Sequence, residues 1–130
     1  MFSGIVEATS PIEQIHENGS VTQIFLQRPP IFDDIKLGDS ICTDGVCLTV
    51  DEFNDKLMRF SLGPETLRIT GWDKKLQIGT EMNLERSLKF GDRIHGHMVS
   101  GHVDAVARVT EVFDNKESLL FSLEIPSEYR

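Results

Sequence analysis

The chain has 130 residues, with 21 acidic against 13 basic side chains and a formal net charge of -8 at neutral pH. That balance disfavours nucleic acid or an anionic membrane as the main partner, yet leaves room for one small polar ligand in a pocket. No run reaches about 18 apolar residues, and Met1-Phe2-Ser3-Gly4 has no basic region ahead of an apolar one, so no membrane span or secretory signal is read and a cytoplasmic location is expected.

Phe2 to Gln14 alternates loosely, carries β-branched residues and predicts a strand. Asn18-Gly19 is a hairpin turn into a returning strand, Val21 to Gln27, which Pro29-Pro30 ends. Ile31 to Lys36 is a connector or single helical turn, and Leu37-Gly38-Asp39 turns into the next strand. Ser40 to Val50 holds a second hairpin-like signal, Asp44-Gly45, with strand on either side. After a turn at Asn54-Asp55, Leu57 to Leu62 is a strand broken by Gly63-Pro64. Glu65 to Ile69 predicts one helical turn closed by Thr70-Gly71, and Thr80 to Glu85 a last strand. A unit of six short strands over residues 1–90 must remove its sheet edges, so the expected fold is all-β, a six-stranded closed barrel. Arg86 to Ile94 reads as a charged link, and residues 91–99 as linker and entry strand.

A repeat organises this arrangement. Ser3-Gly4-Ile5-Val6-Glu7-Ala8 returns as Ser100-Gly101-His102-Val103-Asp104-Ala105, 97 residues on. Both copies continue through a polar turn, His16 to Ser20 and Phe113 to Glu117, into an apolar strand. There the offset reads 96, matching Phe25 with Phe121 and Pro30 with Pro126. A domain-sized period implies a duplicated unit. Residues 100–130 then supply the first two strands of a second, truncated barrel. The expectation is a fragment, a longer protein or a shortened gene product, with apolar Phe121, Leu123 and Ile125 exposed and able to pair with another chain.

His95, His97 and His102 fall within eight residues. Alternation can place His95 and His97 on one side of a strand, but no cysteine or carboxylate is spaced to complete a tetrahedral set, and no metal is expected. His102 stands where the first copy has Ile5, and imidazole moves protons near neutral pH. Cys42 and Cys47 lack CxxC spacing and would stay reduced inside a cell; taken singly, each reads first as a small buried hydrophobe. Thr49 shares a strand face with Cys47. Ser40, Thr49, Ser61, Glu65 and Thr66 could line a polar face at the barrel rim, and Gly4 and Gly101 would let a flat ligand approach the backbone.

The motifs Met1-Phe2-Ser3-Gly4-Ile5-Val6-Glu7, Gly45-Val46-Cys47-Leu48-Thr49-Val50, Glu65-Thr66-Leu67-Arg68-Ile69-Thr70, Asn83-Leu84-Glu85-Arg86 and Gly96-His97-Met98-Val99-Ser100-Gly101-His102-Val103-Asp104 together resemble the riboflavin synthase family. Ser3 stands where the family usually has threonine. The resemblance implies two similar Greek-key barrels and a C-terminal helix, assembled at full length as a homotrimer. It implies a transferase that moves a four-carbon unit between two molecules of 6,7-dimethyl-8-ribityllumazine, giving riboflavin and 5-amino-6-(D-ribitylamino)uracil without a cofactor. It marks Phe2, Ser40, Cys47 and His102 as catalytic. As substrate contacts it marks Gly4, Ile5, Val6, Cys47, Leu48, Thr49, Ser61, Leu62, Gly63, Pro64, Glu65 and Thr66 in the first barrel, with Gly101, His102 and Val103 as the matching stretch of the second. His102 would assist proton transfer or position water, and Ser40 and Cys47 would polarise an adduct, with much of the effect coming from holding two rings face to face. The chain as it stands would then bind lumazine with little or no turnover. The family's lumazine proteins, which bind the ligand without turnover, are the alternative.

Overall fold

A computed structural model describes all 130 residues. Its strands are β1 (Ala8–Asn18), β2 (Val21–Gln27), β3 (Ser40–Thr43), β4 (Val46–Phe53), β5 (Leu57–Leu62), β6 (Glu81–Arg86), β7 (Arg108–Asp114) and β8 (Leu119–Glu124). A short helix α1 (Pro64–Thr70) follows β5. The first six strands form a closed antiparallel barrel in the order β1-β2-β5-β4-β3-β6, in which β2 lies beside the meander β5-β4-β3 as in a Greek key. Closure leaves these strands no free edge.

Alternation along the strands decides what fills the barrel. Val46, Leu48 and Val50 of β4 and Met58, Phe60 and Leu62 of β5 are buried and join Ile12, Ile24, Leu26, Ile41, Met82 and Leu84 in one core. Cys47 and Thr49 lie on the opposite face of β4. The β3–β4 turn has two residues, Asp44 and Gly45, both at positive φ (45° and 86°), the conformation that tight hairpins require. Proline opens α1 and Gly71, at φ 68°, closes it, so the helix ends after two turns.

Three expectations change. The first strand begins at Ala8 rather than Phe2, because Phe2 is buried and its backbone pairs with Val99 instead. Arg86 is not linker but the last residue of β6, where it binds Glu7 and Asp34, each at 2.7 Å, and lies 4.9 Å above the ring of Phe32. The offset of the repeat also stays at 97 through the second strand. Ile12 pairs Leu26 and Val109 pairs Leu123, with a bulge following in both hairpins, between Ile12 and Gln14 and between Val109 and Glu111. Phe121 is therefore the counterpart of Ile24, not of Phe25. The second hairpin, β7–β8, stands as an open two-stranded sheet, with Val109, Val112, Phe121 and Leu123 exposed. No helix is long and apolar enough to cross a membrane.

The ion cluster on β6 carries a pH signature. Hydrogen bonds from Lys89 and then Arg86 hold the Asp34 carboxyl down at about 2, below its ordinary 3.8. Burial pushes Glu7 up, but hydrogen bonds from the Arg86 side chain and backbone outweigh it and leave Glu7 below its usual range. A depressed carboxylate stabilises the fold fully above its unfolded pKa and loses that contribution as pH falls through the folded value. Urea unfolding midpoints should accordingly drop between about pH 4 and pH 2, and the Asp34→Asn variant should show a shallower drop over that window. An identical acid limb in both proteins would contradict this role for Asp34.

Candidate functional site

Register places Cys47, Cys42 and Glu85 in one row across adjacent strands, Cys42 opposite Cys47 on one side and Glu85 on the other. The row lies on the outside of the barrel, opposite the inward Ile41, Val46 and Leu84. The two copies of the Ser-Gly motif cover it from its two ends. At one end Glu85, nearly buried, accepts from the Ser3 N–H (2.6 Å), the Ser3 hydroxyl (2.8 Å) and the Gly4 N–H (3.1 Å). At the other end the Cys47 N–H donates to the Gly101 carbonyl at 2.8 Å.

The copies also share a local shape. The Ile5 N–H donates to the Ser3 hydroxyl and the His102 N–H to the Ser100 hydroxyl, and Gly4 and Gly101 sit at φ 82° and 76°. They meet at Phe2 and Val99, equivalent residues in the repeat, which exchange N–H to carbonyl hydrogen bonds of 2.8 and 2.9 Å. Equivalent residues paired antiparallel imply a local twofold relation between the motifs.

Docking of the second motif makes a cleft of about 210 Å³, lined by Val46, Cys47, Glu65, Thr66, Ile69, Thr70, Gly101, His102 and Val103. Strand β4 supplies Cys47, α1 supplies Glu65 to Thr70, and the motif supplies the third wall. Val103 packs back onto the core, which fixes the motif from below. Arg68 grips Glu65 through two hydrogen bonds, 2.6 and 2.9 Å, and holds its carboxyl below the usual range. Thr70 donates its hydroxyl to the Thr66 carbonyl at 2.7 Å. The cleft therefore offers apolar walls from Ile69 and Val103, an ionised acceptor at Glu65, and the imidazole and thiol of His102 and Cys47.

The sequence-marked residues divide. Cys47, Glu65, Thr66, Gly101, His102 and Val103 converge on the cleft. Leu48 and Leu62 point into the core, and Phe2 is fully buried. Ser61 faces outward and donates to Asp51. Gly63 and Pro64 form the entry to α1. Ser40 and Thr49 face each other across β3 and β4, and Ser40 lines a separate cavity with Asp34, Lys36 and Lys89. Gly4, Ile5 and Val6, expected in the first barrel's pocket, lie away from it, with Ile5 and Val6 about half exposed. Gly101, His102 and Val103, expected to serve the second barrel, line the cleft on the first. Ile69 and Thr70 were missed as lining residues, and Glu85 as an anchor; a helical period through α1 was the available signal for Ile69, which lies four residues after Glu65. A larger cavity of about 620 Å³ runs past Ser3, Glu7, Glu85, Arg86 and Asp92. Much of its charge is already spent in internal pairs such as Glu7 with Arg86, so the smaller, partly apolar cleft is the better candidate for a ligand site.

The lumazine binding domain family matches residues 3–87. The chain is 36% identical over 128 residues to a riboflavin synthase of Bacillus amyloliquefaciens, 37% over 125 residues to one of Schizosaccharomyces pombe and 35% over 127 residues to one of Escherichia coli. It covers 98%, 94% and 95% of itself in these matches and spans 59% of the length of each relative. Among solved structures it is similar to LumP in complex with 6,7-dimethyl-8-(1'-D-ribityl) lumazine, with TM-score 0.84, 24% identity, and coverage of 98% of this chain and 71% of that one. LumP in complex with flavin mononucleotide matches with TM-score 0.82, 25% identity and the same coverage. These matches correct the expectation of a transferase. The fold that accompanies 98% of the chain is that of a protein solved holding lumazine or flavin, which argues against an active riboflavin synthase here. Of the four residues marked as catalytic, Cys47 and His102 share the cleft.

The docking of the second motif depends on Gly101. A Cβ there would lie 2.8 Å from the Cβ of Cys47 and 3.0 Å from its backbone nitrogen, at φ 76°, whereas one at Gly4 would meet only Val99, at 3.6 Å. Gly101→Ala should undock the motif and lower stability by about 2–3 kcal/mol, against about 1 kcal/mol for Gly4→Ala. Hydrogen exchange at the Cys47 amide should speed up in the first variant only; equal protection in both would contradict the docking described.

Proposed function

The chain belongs to the riboflavin synthase and lumazine-binding superfamily, and from that premise we propose that it is a binding protein for 6,7-dimethyl-8-ribityllumazine or the related riboflavin, held in the cleft between α1, β4 and the second Ser-Gly motif. The observation that carries this is the convergence of Cys47, Glu65, Thr66, Gly101, His102 and Val103, from three separate stretches of chain, on one partly apolar cleft. A flat ring system with a polyhydroxyl chain needs an apolar slot for the ring and acceptors for the hydroxyls. Ile69 and Val103 supply the slot, and Gly101 brings backbone close to the ring plane. The Glu65 carboxylate and the Thr66 hydroxyl accept from the ribityl chain. Arg68 keeps Glu65 ionised and in place, so that carboxylate is an acceptor at any pH above its lowered value.

The remaining features take their place around this reading. Residues 1–90 form the binding barrel, 91–99 lead into the repeat, and 100–130 supply a motif and hairpin equivalent to those of the first unit, down to the bulge. By the local twofold relation, Gly4, Ile5 and Val6 would stand over a corresponding cleft of a second unit as Gly101, His102 and Val103 stand over the first.

Titration of the chain with 6,7-dimethyl-8-ribityllumazine, followed by ligand fluorescence, should saturate at one ligand per chain. Glu65→Ala should weaken binding by about tenfold, the loss of one charge-assisted hydrogen bond. Ligand recovered after prolonged incubation should be unchanged, with no riboflavin formed. No saturable binding of either lumazine or riboflavin would refute the proposal.

A further inference from the structure

The row beneath the cleft holds two free thiols whose geometry has a use beyond packing. The two-residue turn Asp44-Gly45 makes Thr43 and Val46 the hydrogen-bonded pair that closes the hairpin, so the next pair outward, Cys42 and Cys47, is a non-hydrogen-bonded one. The Cys47 N–H confirms this, because it turns away from β3 to the Gly101 carbonyl. In such pairs the Cα atoms lie about 4.5 Å apart and both side chains stand on the same face. That separation falls within the range of about 4.4–6.8 Å that a disulfide spans. Cys42 is 8% exposed, beneath the surface, and Cys47 is partly open on the cleft wall. One thiol can therefore meet a reagent while the other waits behind it.

We propose that Cys42 and Cys47 are an oxidisable dithiol, closed to an intrachain disulfide by exchange with a small-molecule disulfide such as oxidised glutathione, and that closure weakens ligand binding in the cleft; the second half of this statement rests on the function proposed above. The Cys47 thiolate attacks the small disulfide and releases one thiol, leaving a mixed disulfide on Cys47. The Cys42 thiolate then attacks the Cys47 sulfur and releases the second thiol. Two protein thiols are oxidised by two electrons, the small disulfide is reduced to two thiols, and the two protons end on those thiols. Burial, and then the Glu85 carboxylate across the row, push the Cys42 thiol up, so the second step is the slow one. Closure draws the Cys47 sulfur out of the cleft wall toward β3, and the ligand loses that contact.

The test equilibrates the whole chain in mixtures of reduced and oxidised glutathione, then reads intact mass and lumazine affinity. The expected product is a monomer lighter by two hydrogens, with both cysteines in one disulfide-linked peptide. Its affinity should be weaker by about fivefold, as for one lost contact, and restored by reductant. Cys42→Ala should stop at the mixed disulfide and gain one glutathionyl group on Cys47; Cys47→Ser should show no intrachain disulfide. A wild-type chain that accumulates the mixed disulfide, or keeps both thiols under an oxidising mixture, overturns the dithiol. A disulfide that leaves affinity unchanged overturns the coupling to the cleft. If the reduced chain fails to bind lumazine, the function proposed for the cleft fails, while the mass measurement still decides the dithiol.

Discussion

The pairing of Phe2 with Val99 is the constraint on which the rest of the site depends. It joins equivalent residues of two copies of one motif by two short backbone hydrogen bonds and so sets both copies over the same outer row of the barrel. One copy is then held by the buried Glu85 carboxylate, which takes three donors from Ser3 and Gly4. The other is held by the Gly101 carbonyl on the Cys47 N–H and by Val103 against the core. Without the second copy, β4 and α1 would present an open ledge. With it, the ledge becomes a cleft with three walls.

The barrel was legible because its signals are local. Asn18-Gly19 and Asp44-Gly45 fix two hairpins, period-two alternation fixes which faces are buried, and Gly63-Pro64 fixes where β5 stops. The site was only half legible. Cys47, Glu65, Thr66 and His102 could be marked from their motifs, but which of them meet is a matter of register and of docking across the chain. Phe2 illustrates the limit, since its alternation fits a strand of the first unit while its partner lies 97 residues away. The repeat offset shows another. An apparent match of Phe25 with Phe121 suggested a shift by one, and only the paired bulges reveal that the copies stay in step.

Sharing one motif between two units gives each position a double meaning. Ile5 and His102 are equivalent in the repeat, yet His102 lines the cleft and Ile5 does not. An imidazole thus lines the cleft on this barrel while an apolar side chain occupies the corresponding place in the other copy. Packing and chemistry also coincide in the outer row. Cys42 and Glu85 serve the fold by filling the space beneath the motifs, and the same register that buries them sets Cys42 opposite Cys47. The cleft and the pair of thiols on this barrel are therefore parts of one arrangement.

Mapping backbone amide shifts as 6,7-dimethyl-8-ribityllumazine is added tests the central claim most directly, because it reports which segments close around the ligand. The account predicts saturable shifts at Cys47, at Glu65 to Thr70 and at Gly101 to Val103, all following one binding curve, with Gly4 to Val6 little changed. Shifts centred on Gly4 to Val6, with Gly101 to Val103 silent, would contradict it.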